Sequence, residues 1–157
     1  MKRILIFLLF VIATTAQAQV NKMLGQWNTF DDKTGDMASI VQISEKNGVY
    51  TCVVQSLYQK TATGTYELKQ PPYSKNDAKS VGAQIFIDMK EHKGQLKGKI
   101  LDPSEGKTYF GKVTYDPKTD ELTLRGSLDK AGLLGRSQTW KRHCDSKNCA
   151  SKKSCCN

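Results

Sequence analysis

Ala83-Gln84-Ile85-Phe86-Ile87-Asp88-Met89-Lys90, followed by Leu96-Lys97-Gly98-Lys99-Ile100, decides the fold. In the first stretch Ala83, Ile85, Ile87 and Met89 alternate with Gln84, Phe86, Asp88 and Lys90. In the second, Leu96, Gly98 and Ile100 alternate with Lys97 and Lys99. A period of two marks a strand with one face on a core. The pattern continues downstream: Tyr109, Gly111, Val113 and Tyr115 share one face, and Leu122, Leu124 and Leu128 share the next. Between the strands sit Asp102-Pro103-Ser104-Glu105-Gly106 and Asp116-Pro117-Lys118-Thr119-Asp120. In each, proline suits the second position of a type I turn.

The same rhythm extends in both directions. Residues 24–30 form a candidate first strand, and Asp31-Asp32-Lys33-Thr34-Gly35 a turn. Residues 38–45 and 49–58 flank Lys46-Asn47-Gly48. Asn-Gly is a strong hairpin signal because both residues tolerate positive φ. Residues 63–68 read as another strand and 70–77 as a polar loop. Residues 130–135 read as a short loop or helical turn, and 137–142 as the last strand. The expectation is an all-β fold of eight or nine short strands with little helix. Meander connections favour an antiparallel up-and-down barrel, which also removes exposed strand edges.

The chain begins differently. Met1-Lys2-Arg3 precedes an uncharged run from Ile4 to Ala13, then Thr14-Thr15-Ala16-Gln17-Ala18-Gln19. A charged start, an apolar run of about ten residues and a small-x-small site describe a secretory signal peptide over residues 1–18, cleaved after Ala18. The apolar run is too short for a bilayer, which needs about 20 residues. Gln19, not cysteine, follows the site, so the usual bacterial lipid-anchoring arrangement is missing. The expected product is an exported protein, periplasmic or secreted, with no transmembrane segment. It comprises a single barrel domain over 19–143 and a Cys/Lys-rich tail over 144–157.

The 157 residues carry 24 basic and 15 acidic side chains, a formal charge of +9, which loss of Lys2 and Arg3 lowers to +7. A basic balance can point to an anionic partner. Here the cations are spread out outside the tail, no nucleic-acid motif occurs, and export argues against DNA. Nucleic acid is therefore not expected as a partner.

Gly25-Gln26-Trp27 near the start and Gln138-Thr139-Trp140-Lys141-Arg142 near the end resemble the lipocalin and calycin pattern. That resemblance implies a tryptophan plugging the barrel base with a cation lying across it. A further set of motifs runs through the chain: Asp31-Asp32-Lys33-Thr34-Gly35, Ile40-Val41-x-Ile43, Gly98-Lys99-Ile100-Leu101-Asp102-Pro103, Gly106-Lys107-Thr108-Tyr109, Leu122-x-Leu124-Arg125-Gly126 and Leu134-Gly135-Arg136-Ser137-Gln138-Thr139-Trp140-x-Arg142. With Gly25-x-Trp27, these are similar to a bacterial exported family known as domain of unknown function family 2147, across residues 24–142. The resemblance implies a compact envelope protein with a calycin-like barrel, and no reaction. Residues 61–79 lack the cysteine-bearing stretch of many members, and the Cys-rich end is an addition.

Trp27, Tyr109, Gln138, Trp140 and Arg142 are the candidate ligand-binding or barrel-closing residues. Gln138, Trp140 and Arg142 lie two apart and share a face. In the architectural reading, Arg142 stacks on Trp27, a contact of about 0.5–2 kcal/mol, and Gln138 satisfies backbone groups. In the functional reading, Arg142 anchors the carboxylate of a small apolar or amphipathic ligand in a lumen lined by Tyr and Leu. Fatty-acid-binding calycins use late-strand cations in this way. Arg125 is expected outward, pairing with a carboxylate, and Asp102 is expected to cap its turn. His92 is expected to be solvated in a hairpin turn.

Gly-x-Ser-x-Gly, His-Glu-x-x-His and phosphate-cradling loops are all missing, so the chain reads as non-enzymatic and without a cofactor. Cys144, Cys149, Cys155 and Cys156 are disulfide candidates in an oxidising compartment. The alternative is a soft-metal site formed by these four with His143. Cys52 is expected as a buried apolar thiol. Three function classes follow: a ligand-binding barrel, an envelope interaction or stress protein built on a packed barrel, and a metal- or redox-responsive tail.

Overall fold

The computed structural model describes residues 18–144. Nine strands follow in chain order: β1 (Gly25–Phe30), β2 (Met37–Lys46), β3 (Val49–Lys60), β4 (Tyr66–Leu68), β5 (Phe86–His92), β6 (Gln95–Asp102), β7 (Lys107–Asp116), β8 (Glu121–Ser127) and β9 (Gly135–Arg142). Every pairing between strands is antiparallel. The order is β2-β1-β9-β8-β7-β6-β5-β3-β4, and β2 also pairs with β3. That pairing closes eight strands into an up-and-down barrel. The ninth strand, β4, hangs outside the ring on the last residues of β3.

Local chemistry explains the corners. Asn47 (φ 55°) and Gly48 (φ 78°) form the two-residue link between β2 and β3, the expected Asn-Gly turn. Lys93 and Gly94 repeat it between β5 and β6 with φ of 53° and 76°. Asp102 seeds the β6–β7 turn: its Oδ1 accepts from the Ser104 and Glu105 amides. Asp116 does the same for Lys118 in the β7–β8 turn.

One buried apolar cluster fills the ring. Trp27 from β1, Val41 and Ile43 from β2, Cys52 and Val54 from β3, Phe86 and Met89 from β5, Leu96 from β6, Val113 from β7, Leu122 from β8 and Trp140 from β9 all belong to it. Cys52 sits wholly in this core, and burial pushes its thiol up. A helical turn at residues 18–21 precedes β1, and Val20 and Met23 close the base with no exposed surface.

Four details differ from the sequence expectation. The strict alternation over 83–90 fails: Ile85, Phe86 and Met89 are buried, and Ile87 is not. A bulge between Ile87 and Lys90, with Asp88 at φ 50°, shifts the phase so that Phe86 and Met89 both face inward. Leu128 lies past the end of β8 and is 71% exposed, so it does not continue the face of Leu122 and Leu124. The expected strand over 63–68 shortens to Tyr66–Leu68, because Thr61, Thr63 and Thr65 link their hydroxyls in a turn. Part of the expected polar loop is a short helix, Lys75–Ser80, whose N-cap Ser74 accepts from the Asp77 amide.

Candidate functional site

The two ends of the barrel are built differently. The base carries the residue 18–21 turn, the hairpins of β2–β3 and β5–β6, the β7–β8 turn and the end of β9. The opposite end, the mouth, carries the β1–β2 loop, the β6–β7 turn and the loop joining β8 to β9.

At the base, Gly25 has φ +111°, a conformation that favours glycine. It turns the chain so that the next inward residue, Trp27, is fully buried. The Trp27 Nε1–H donates to the Met23 carbonyl at 2.8 Å. Tyr115 meets its ring edge-on at 6.5 Å. The Arg142 guanidinium lies 4.0 Å from the centre of the Trp27 ring, a cation–π contact. Its Nε and Nη2 donate to Asp120 at 2.8–2.9 Å. Nη2 also donates to the Lys22 carbonyl at 2.7 Å, and Nη1 to the Leu24 carbonyl at 3.3 Å. Tyr115 donates to Asp120 as well, at 2.9 Å. Burial, reinforced by that bond, raises the Tyr115 phenol above its usual range. Every nitrogen of Arg142 therefore has an acceptor. The geometry matches the architectural role and leaves no donor set directed at a ligand carboxylate.

Trp140 is the next inward residue above Arg142 on β9. Its ring stacks on Phe86 with centroids 6.3 Å apart and planes 7° from parallel. Strands β9 and β5 are four steps apart in a ring of eight. The pair therefore spans the barrel's diameter and makes a floor beneath the mouth. Gln138 accepts from Trp140 Nε1 at 3.1 Å; it serves the indole, where the sequence pointed to backbone groups. Tyr109 lies half-buried on the inward face of β7, next to Gly126.

At the mouth, Arg136 continues the face of Gln138, Trp140 and Arg142. It bridges Asp32 at 3.0 Å and Asp102 at 3.4 Å. Asp102 stands on β6, so this contact reaches over β7 and β8. Burial raises the Asp102 carboxyl, but bonds from Ser104 and Glu105 and the Arg136 charge outweigh it, and the group sits below its ordinary value. Leu133 and Leu134 in the β8–β9 loop are 80% and 68% exposed. The loop is nevertheless firmly held. Asp129 accepts from the Leu133 and Leu134 amides, and Arg125 donates to the Gly132 and Leu133 carbonyls. Arg125 thus points outward but fastens a loop, where a carboxylate partner was expected.

Asp120, Arg136, Phe86 and the Val20–Met23 plug were not singled out in the sequence. Asp120 was hidden as the last residue of a turn. Val20 and Met23 stand three apart directly before Gly-x-Trp, the spacing of one helical face. His143 Nδ1 lies 3.0 Å from Asn28 Oδ1, which also accepts from Tyr58. His143 and Cys144 are described, whereas Cys149, Cys155 and Cys156, the other members of the disulfide and metal alternatives for the tail, lie outside the described residues. Among the described residues no group of three or more His, Cys, Asp and Glu side chains could hold a metal ion, and no helix is long and apolar enough to cross a membrane. His92 ends β5, exposed.

Comparison with known proteins agrees with this architecture. A solved structure described as protein HP1028 from the human pathogen Helicobacter pylori, belonging to the lipocalin family, superposes with a TM-score of 0.57 at 24% identity, covering 79% of this chain and 84% of that one. That similarity establishes the barrel fold. No curated protein matches the chain. A family model, domain of unknown function 2147, described as an uncharacterized protein conserved in bacteria, matches residues 25–142. The match spans the barrel from Gly25 to Arg142, and the chain belongs to that bacterial family.

Proposed function

We propose that this is an exported, non-enzymatic binding protein that takes a small amphipathic anion at the mouth of its barrel. One observation carries the reading. Arg136, 59% exposed, is an inward-face cation at the mouth, above half-buried Tyr109 and Gln138 and the Phe86–Trp140 floor, and its pairs with Asp32 and Asp102 are open to solvent, where an incoming anion competes with them. An acid with an apolar chain would rest part of that chain on the aromatic floor, and its charge would meet Arg136. The exposed leucines of the β8–β9 loop supply an apolar lip. Arg142, 22% exposed, has its nitrogens bonded to Asp120 and two backbone carbonyls and is not available for this role. Export rests on residues 1–18, and cleavage after Ala18 would leave the buried Val20 and Met23 in place.

The test is titration of purified protein with a dansyl-labelled undecanoic acid, followed by energy transfer from tryptophan. Saturable binding is expected, weakened about tenfold in Arg136→Gln, the loss of one charge-assisted pair. No saturable binding would overturn the reading. It would favour a second one, supported by the ring pair that spans the barrel: a packed scaffold whose outer surface meets envelope components.

A further inference from the structure

The outer wall of the barrel carries a row of cations in direct register. Lys90 on β5 pairs with Lys97 on β6, Lys97 with Lys112 on β7, and Lys112 with Arg125 on β8. Their neighbours Met89, Leu96, Val113 and Leu124 are buried, so all four point outward. Neighbouring strands lie about 4.8 Å apart, which makes the row about 15 Å long. Lys99 adds a fifth cation on the same face, two residues from Lys97. Among the described residues, no ion pair includes Lys90, Lys97, Lys99 or Lys112. Arg125 bonds carbonyl oxygens, so its charge also faces no carboxylate.

Like charges directly opposite each other weaken a strand pair. The spacing is inside the Debye length of about 10 Å at 0.1 M salt, so each member feels the next. Solubility does not require this placement. The next outward row toward the base, Thr114, Thr123 and Thr139, is uncharged. The cations are concentrated where they repel.

We infer that this row is a binding surface for a flexible linear polymer of phosphates that carries no bases, such as inorganic polyphosphate. Curvature selects that partner. The row crosses three of the eight strand-to-strand steps of a closed ring, so it bends around a convex wall. A planar bilayer would touch it along one line, whereas a flexible chain follows all of it. Single-stranded nucleic acid is held by basic grooves combined with aromatic stacking platforms. This wall has no groove, and on β5 to β8 its aromatic side chain is the half-buried Phe110. Each phosphate neutralised on the row also relieves the cross-strand repulsion.

The experiment measures binding of labelled short-chain inorganic polyphosphate to the full mature chain. Wild type is compared with Lys97→Glu/Lys112→Glu and with a control of equal charge, Lys75→Glu/Lys118→Glu, on the short helix and the β7–β8 turn. The row variant should bind about tenfold more weakly and show a shallower salt dependence, with the control within about twofold of wild type. The new glutamates face Lys90 and Arg125 as well as each other, so like-charge pairs in the row fall from three to one, and the row variant should also melt no lower than wild type. Equal losses in both variants would mean diffuse attraction and overturn the proposal. So would row-dependent binding to phosphatidylglycerol vesicles without polyphosphate binding, or tighter binding of oligothymidylate than of polyphosphate.

Discussion

At the residue scale, Arg142 shows why one side chain can be read two ways from sequence. Its face and its stacking partner follow from spacing alone, because Gln138, Trp140 and Arg142 alternate and Trp27 stands in the opposing first strand. Its counter-ion does not, since Asp120 approaches through a turn whose geometry no periodicity encodes. Arg142 and Asp120 are 22% and 20% exposed, so water screens the pair only in part. Asp120→Asn should lower stability by about 1–2 kcal/mol, read as the urea midpoint, because the guanidinium stays half-buried without its carboxylate. Acidity acts on the same scale. Asp36 is held at about 2 by its bonds from Lys60 and Tyr66, and Asp77 and Asp129 are held below their usual value by bonds from Lys69 and from the Leu133 amide. Depressed carboxyls contribute stability above their unfolded value, near 3.9, that is lost as the pH falls through the folded one. Thermal midpoints should therefore be flat above about pH 5 and fall between about pH 4 and pH 2. Asp36→Asn should flatten the lower part of that fall.

At the level of elements, the bulge in β5 accounts for the failed alternation. Its backbone presses on β6. A Cβ on Gly98 would stand 2.8 Å from the Asp88 carbonyl oxygen and 2.8 Å from Met89 Cα. Main-chain atoms cannot step aside as a side-chain tip can, so Gly98→Ala should cost about 2–3 kcal/mol. Gly126 lies two strands away in the same row, where a Cβ would meet Tyr109 at an ordinary 3.6 Å. Gly126→Ala should change stability by less than about 0.5 kcal/mol. Paired chemical denaturation curves check both values. The strands themselves were legible because alternation and turn residues are local signals. The bulge was not, because β-bulges add a residue without a fixed composition.

For the whole molecule, closure was legible from the meander and from the tryptophans at the two ends of the chain. Which end closes, and how far the inside fills, depended on contacts between strands on opposite sides of the ring. The Phe86–Trp140 pair and the Val20–Met23 plug are such contacts, and they move the proposed ligand from the base to the mouth. The two tryptophans report that difference separately. The Trp27 indole N–H is bonded to Met23 at the base and the Trp140 indole N–H to Gln138 beneath the mouth. The decisive measurement is a ¹H–¹⁵N spectrum of the indole signals during titration with dodecanoate. A saturating shift of the Trp140 signal, with Trp27 unmoved, is the predicted result. A shift at Trp27, or none at either, would contradict a binding site at the barrel mouth.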